Sequence, residues 1–352
     1  MTVRRTRDWT LSIVALATAL LAAGCGGGGG GSSSPPPVQP QLIQITVQNQ
    51  DAVARAAVAT FFSMTGVRAL PLAPSPSPTT LATGVNDVAM HAMSKAIAPA
   101  PGGSKVSRLE VHSDTAACAM GGSMTLTIDD RDNNLAISRG DVITIAFSQC
   151  REAADSMING ALVMAIANAS ETANSVQLSG TFTYQQLTII DAGYTSTVNG
   201  AMDSVYSESL DPMTGTLNAW LESTVAAGGL VASGSTPLVS DTFTYDAGFR
   251  NQSNEVTPGD PKAVGFSTIA LNGTVHVGSL GGRVTLVMDP LWPVHEQFNA
   301  EYPDSGRVTV LGSASQLRFT VMNVERVRQE LDANNDGVFE ASKEVLWTEL
   351  LP

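Results

Sequence analysis

Oxygen-bearing side chains recur at alternate positions in Asp332-Ala333-Asn334-Asn335-Asp336-Gly337-Val338-Phe339-Glu340. Short carboxylates and amides at this spacing, with a glycine where the chain turns sharply, converge on one point. Such a point suits a hard divalent cation, which takes about six to eight oxygens at about 2.3–2.6 Å. The candidate ligands are Asp332, Asn334, Asp336 and the carbonyl of Val338. A metal-free turn fits the same residues, because Asp and Asn side chains bond their own backbone. Other chemistry is sparse. The chain contains no GxSxG, HExxH, phosphate loop or dinucleotide fingerprint, and Gly278-Ser279-Leu280-Gly281 is one residue short of a nucleophile elbow. His276 falls on the polar side of a strand between Val275 and Val277. His91 lies in a helical stretch where Met90, Met93 and Ile97 share the other side, which reads as packing rather than copper binding. No catalytic residue is assigned, and the balance leans away from an enzyme.

The acidic loop resembles the first nine positions of an EF-hand calcium loop, which implies calcium as its cofactor. It departs at the twelfth position: Lys343 stands where a bidentate Glu belongs, and Glu344 comes one place late. The flanks fit two arrangements. Val324, Val327 and Leu331 match a helix face, while 327–332 and 338–345 match the strands of a hairpin.

The start of the chain carries a different kind of chemistry. Arg4, Arg5 and Arg7 precede an apolar run from Leu11 to Leu21 and then small residues Ala22-Ala23-Gly24, the three regions of a secretory signal peptide. The run is too short to cross a bilayer, which takes about 20 apolar residues. The junction Leu21-Ala22-Ala23-Gly24-Cys25 resembles the lipobox of bacterial lipoproteins, with Ala22 where Leu is usual. That resemblance implies cleavage before Cys25 and a diacylglyceryl group on its thiol, hence membrane anchoring. Gly26 is not Asp, which under the sorting rule that goes with this resemblance favours the outer membrane; periplasmic and surface faces both stay open. With Cys25 assigned to lipid, Cys118 and Cys150 form an even pair in an oxidising compartment and are expected to be disulfide-bonded. Such a loop closure contributes roughly 3–4 kcal/mol on the chain-entropy model.

The run from Gly26 to Pro37, all Gly, then Ser, then Pro, reads as a tether. The whole chain has 19 basic and 32 acidic residues; without residues 1–24 it loses three Arg and Asp8, which leaves a formal net charge of −15. Such a surface repels phosphate backbones and disfavours nucleic acid. With 43% apolar and 14% charged residues the body can bury a sizeable core.

The elements beyond the tether divide in two. Residues 41–105 form a helical preface: a short strand Leu42–Val47, Asp51 as N-cap of a helix with Val53, Ala57, Phe61 and Met64 on one face, and a second helix over 85–97. Residues 106–352 are β-rich. A period of two runs through Met124-Leu126-Ile128, Ile143-Ile145-Phe147, Leu162-Met164-Ile166, Val176 to Tyr184, Ile269 to Val277, Val284 to Met288 and Leu317 to Val321. The phase slips after Tyr184, where Leu187 and Ile189 become the apolar positions, which predicts a bulge and a bend. Gly160, Gly180 and Gly200 are evenly spaced, and Thr181-Phe182-Thr183-Tyr184 recurs at Thr242-Phe243-Thr244-Tyr245. The expected fold is mainly β: an antiparallel up-and-down sheet, curved or barrel-like, with a short helical N-terminal region. Three functions fit. One is an envelope lipoprotein whose β-body binds an apolar ligand or an envelope protein, or plays a structural part. The others are an envelope hydrolase with an unrecognised site and a calcium-stabilised adhesin or assembly subunit.

Overall fold

The computed structural model describes residues 41–65, 112–134, 137–151, 154–172, 174–191, 194–235, 240–260, 262–300 and 302–350. The signal peptide, Cys25, the tether, the helix over 85–97 and His91 lie outside them.

Alternating side chains form strands here because one side of each finds apolar partners and the other finds water. The first seven strands are β1 (His112–Ala117), β2 (Ser123–Asp129), β3 (Val142–Cys150), β4 (Met157–Glu171), β5 (Ser175–Asp191), β6 (Tyr194–Leu210) and β7 (Leu217–Ser235). They are followed by β8 (Ser240–Tyr245), β9 (Arg250–Thr257), β10 (Phe266–Val277), β11 (Gly282–Met288) and β12 (Val294–Gln297). The last four are β13 (Gly306–Gly312), β14 (Ser315–Val321), β15 (Arg326–Asp332) and β16 (Ala341–Leu346). All belong to one up-and-down antiparallel sheet in chain order. β8 and β9 both bridge β7 and β10, and β11 and β12 both lie along β10, so each pair shares one position. β1 and β16 are the two ends of the order, and among the described residues no pairing joins them, so the sheet as described is open.

A crease crosses the long strands. Register shifts occur between β3 and β4 after Phe147, between β4 and β5 after Asn159, between β5 and β6 after Tyr184, and between β6 and β7 after Gly200. The bulged residues Gln149 and Gln186 have φ of 47° and 49°. Their N–H groups donate to the side chains of Asn159 (2.6 Å) and Asn199 (3.2 Å) on the neighbouring strand. Each Asn precedes a glycine. A Cβ on Gly160 would stand 2.3 Å from the Gln186 carbonyl oxygen, and one on Gly200 would stand 2.5 Å from that of Gly229. These Asn-Gly pairs therefore let the backbones approach where an extra residue bends the sheet. Gly180, third of the evenly spaced glycines, pairs with Ile166 at a further register shift.

The concave side is filled by α1 (Gln50–Thr65). Val53, Ala54, Ala57, Phe61 and Met64 are buried in one core cluster with Leu162, Phe182, Tyr245, Leu271, Leu286 and Leu331 of the sheet. The Ser63 hydroxyl shares a hydrogen bond with Tyr245, and the Asn251 amide donates to the Met64 carbonyl. The second helix, α2 (Trp347–Leu350), closes the core beside α1. Two local expectations change. The segment 42–47 is not a strand: it forms a bridge from Leu42 to Arg283 and hydrogen bonds to Ser313 and Ser315, and Asn49 then accepts from the Thr46 N–H where the chain turns into the helix. Asp51 lies inside the first turn rather than capping it, and pairs with Lys343.

Candidate functional site

The acidic loop joins β15 to β16, so a hairpin and not a pair of helices carries it. The hairpin closes because Val327 and Leu331 turn inward opposite Val345 and Ala341. Its turn is held by its own side chains. Asp332 is fully buried and accepts from the N–H groups of Asp336 (3.2 Å) and Gly337 (2.9 Å) and from the Gln316 amide (2.9 Å). Asn334 accepts from the Asp336 N–H (2.9 Å), and Asp336 accepts from the Val338 N–H (2.8 Å). Burial alone would raise the Asp332 carboxyl pKa. Hydrogen bonds from Gln316, Gly337, Asn335 and Asp336 outweigh it and hold the group below its ordinary value of 3.8.

Carboxylate oxygens of Asp332, Asp336 and Glu340 lie within 4.8 Å of one another. That spacing matches oxygens around a common cation, whose ligands at about 2.4 Å stand up to about twice that distance apart. Asp332 and Asp336 were legible from their spacing; Glu340 was not assigned. Its signal was the ninth position, a place that contributes a ligand, often through water, in loops of this type. Glu340 also accepts from the Ala333 N–H at 2.8 Å, which folds it back over the loop. The Asn334 amide donates to Asp336 at 3.1 Å, and Val338 stands at the exposed tip. The twelfth position contributes nothing to the cluster. Lys343 pairs with Asp51 of α1, and Glu344 turns to the other face and pairs with Arg328 at 3.0 Å. The strand alternation that sends Lys343 inward necessarily sends Glu344 outward.

A second acidic cluster lies between β2 and β3, where the run Asp129-Asp130-Arg131-Asp132-Asn133-Asn134 has the short carboxylates and amides of a plain turn. Oxygens of Asp130, Asp132 and Asp141 also lie within 4.8 Å of one another, with Asp130 and Asp141 buried. The signal was Asp141, the twelfth residue counted from Asp130. Here the loop holds its own acids: Asp141 accepts from the N–H groups of Ser138 (2.7 Å) and Arg131 (3.1 Å). The Ser138 hydroxyl, at 2.9 Å, is the main cause of a lowered Asp132 pKa.

Cys118 and Cys150 are joined as a disulfide with Cα atoms 5.4 Å apart, tying the β1–β2 turn to the end of β3. Two further constellations bear on hydrolysis. Strand register aligns Glu208, Ala219, Glu255, Ser267 and Glu296 in one row across the inner face. Successive glutamates are two strands apart, about 9.5 Å at the backbone. Tyr206 donates to Glu208 at 2.5 Å. On the outer face His295 Nδ1 meets Asp304 at 2.6 Å, and the Ser305 hydroxyl donates to the same Asp304 oxygen at 3.2 Å. The order is thus serine to acid to histidine, whereas nucleophilic catalysis needs the histidine between the other two. His276 pairs with Arg283 and Thr244 in the sheet.

Comparison with protein-family models, with curated proteins and with solved structures found no match.

Proposed function

We propose that this chain is a bacterial envelope lipoprotein, anchored through Cys25, whose β-body serves a binding or structural role rather than a catalytic one. The observation that carries this reading is the sequence Leu21-Ala22-Ala23-Gly24-Cys25 after a basic and apolar leader, followed by the Gly/Ser/Pro run. The Cys118–Cys150 bond supports export, since such bonds persist in oxidising compartments. Among the described residues the concave face leaves little room for a ligand of ordinary size. α1 fills it, and the gap left between Ala57, Phe61, Phe319 and Trp347 is about 30 Å³, against about 300 Å³ or more for a small-molecule site. Recognition then belongs to the outer face and the ends of the sheet. Detergent-phase partition tests the anchor: the parent enters the detergent phase and Cys25→Ser stays in the aqueous phase. Equal partition of the two would end the reading.

Calcium is proposed as a ligand of the β15–β16 loop, held by Asp332, Asp336 and Glu340 with Asn334 and the Val338 carbonyl completing the oxygen set. Calorimetric titration of calcium into the folded chain gives heat and a rise in melting temperature, and Asp336→Ala loses both. A parent that gives neither excludes the site. The hydrolase reading retains one favourable observation, the row Glu208, Glu255 and Glu296. It predicts turnover of simple glycoside or ester substrates that Glu296→Gln abolishes.

A further inference from the structure

Most of the large apolar side chains that stay exposed among the described residues gather towards one end of the sheet. Met213 (93% exposed) lies in the turn after β6, Val264 precedes β10, Phe298 (50%) follows β12 and Val324 lies in the turn after β14. Leu291 (84%) and Trp292 (54%) project from the excursion between β11 and β12. The strands that carry these turns are neighbours in sheet order, so the side chains line a continuous rim. Phe298 is held there by its N–H to the Gly265 carbonyl (2.9 Å), and a Cβ on Gly265 would stand 2.6 Å from its ring. The other end differs in kind: it carries the acidic β15–β16 loop, and the Leu42 bridge to Arg283 places the first described residues there.

Some charges along the rim come in opposite pairs, while Asp211 beside Met213 and Asp304 after Phe298 add negative charge. Arg307 pairs with Asp289 at 3.5 Å and also sits 5.4 Å from the centre of the Trp292 ring. Asp260 and Lys262 share one turn, and Glu325 adjoins Arg326. A rim that is apolar at its tips and mildly acidic between them is poorly matched to an anionic partner, whether a protein or an anionic headgroup. A fluid interfacial layer accepts such knobs individually, and Trp and Phe favour that layer.

We propose that this rim inserts into the interfacial layer of a lipid membrane with neutral headgroups. The proposal rests on the anchored reading only for what brings the body to a membrane. Residues 26–40 between Cys25 and the body extend to about 50 Å at most. β10, whose 12 residues run from the Leu42 bridge end to the Phe298 end, extends to about 40 Å, so the tether can bring that part of the rim back to the anchoring leaflet.

The test uses the chain from residue 25 onward with Cys25→Ser, so that no acyl chain contributes, sedimented with phosphatidylcholine vesicles. The chain binds, the double variant Leu291→Ser/Trp292→Ser binds at least tenfold more weakly, and Phe298→Ser weakens binding in the same direction. Met120→Ser, an exposed apolar residue in the β1–β2 turn at the other end, leaves binding unchanged. Matching circular dichroism and melting temperature keep loss of fold out of the comparison. The proposal is overturned if the parent does not sediment, or if the rim variants bind as tightly as it does. It is overturned equally if the apolar rim instead drives dimerisation that the same variants abolish. A failure of lipidation at Cys25 would leave this result standing, so the two ideas fall separately.

Discussion

Asp332 shows how one buried carboxylate shapes the acid stability of the loop. Its folded-state pKa is depressed, so its contribution is present above the ordinary value of 3.8 and is lost as pH falls through the lower folded value. Asp332→Asn should therefore be less stable than the parent at neutral pH, with the gap closing as the solution is taken below about pH 4. Chemical denaturation at a series of pH values measures this, and a gap independent of pH would show that the charge is not what matters. The alternation of Asp332, Asn334 and Asp336 was legible because loop chemistry is local. Glu340 was not assigned, because its place beside Asp332 depends on the closing of the hairpin through pairs such as Leu331 with Ala341.

At the scale of elements, the crease is a repeated device: a bulged Gln in left-handed conformation facing an Asn-Gly pair on the next strand. Gly160→Ala meets both the Gln186 carbonyl and a φ of 96°, and should cost about 2 kcal/mol or more. Gln186→Gly relieves a left-handed residue and should be neutral or stabilising by up to about 1 kcal/mol. The denaturant midpoint of Gly160→Ala should fall while that of Gln186→Gly holds or rises; a fall in both would contradict the account. The phase slip after Tyr184 announced this bend from sequence alone, since apolar residues had to change faces to stay in the core. β2, β3, β10 and β11 were legible for the same reason. β6 was not, because its inner face carries Ser204 and Glu208 among Val198 and Met202, and polar residues there erase the alternation. Ser204 is satisfied by Ser223 across the strand gap (2.8 Å), a pairing that only the register reveals.

The described residues form one curved sheet wrapped around α1, with the short α2 beside it. The spacing of Val53, Ala57, Phe61 and Met64 announced the helix but not its place, since a helical stripe does not say what it packs against. Placed inside the sheet, Phe61 joins strands far apart in the chain, and Phe61→Ala should cost about 3–5 kcal/mol in a cooperative unfolding transition. A small change would mean that the helix docks late and loosely. Removing the disulfide with Cys118→Ser/Cys150→Ser should cost roughly 3–4 kcal/mol for a closed loop of 32 residues, read from the same denaturation curves. Among the described residues no helix is long and apolar enough to cross a membrane. The outer face of β5 and β6 carries Thr181, Thr183, Asp203 and Ser207 beside Ala201 and Val205. Attachment through lipid at Cys25, as proposed, is the claim on which the account turns. Intact mass spectrometry of the mature chain tests it most directly. The account predicts a chain beginning at Cys25 that carries the added mass of acyl groups. A parent with no added lipid, processed in the same way as Cys25→Ser, would contradict it.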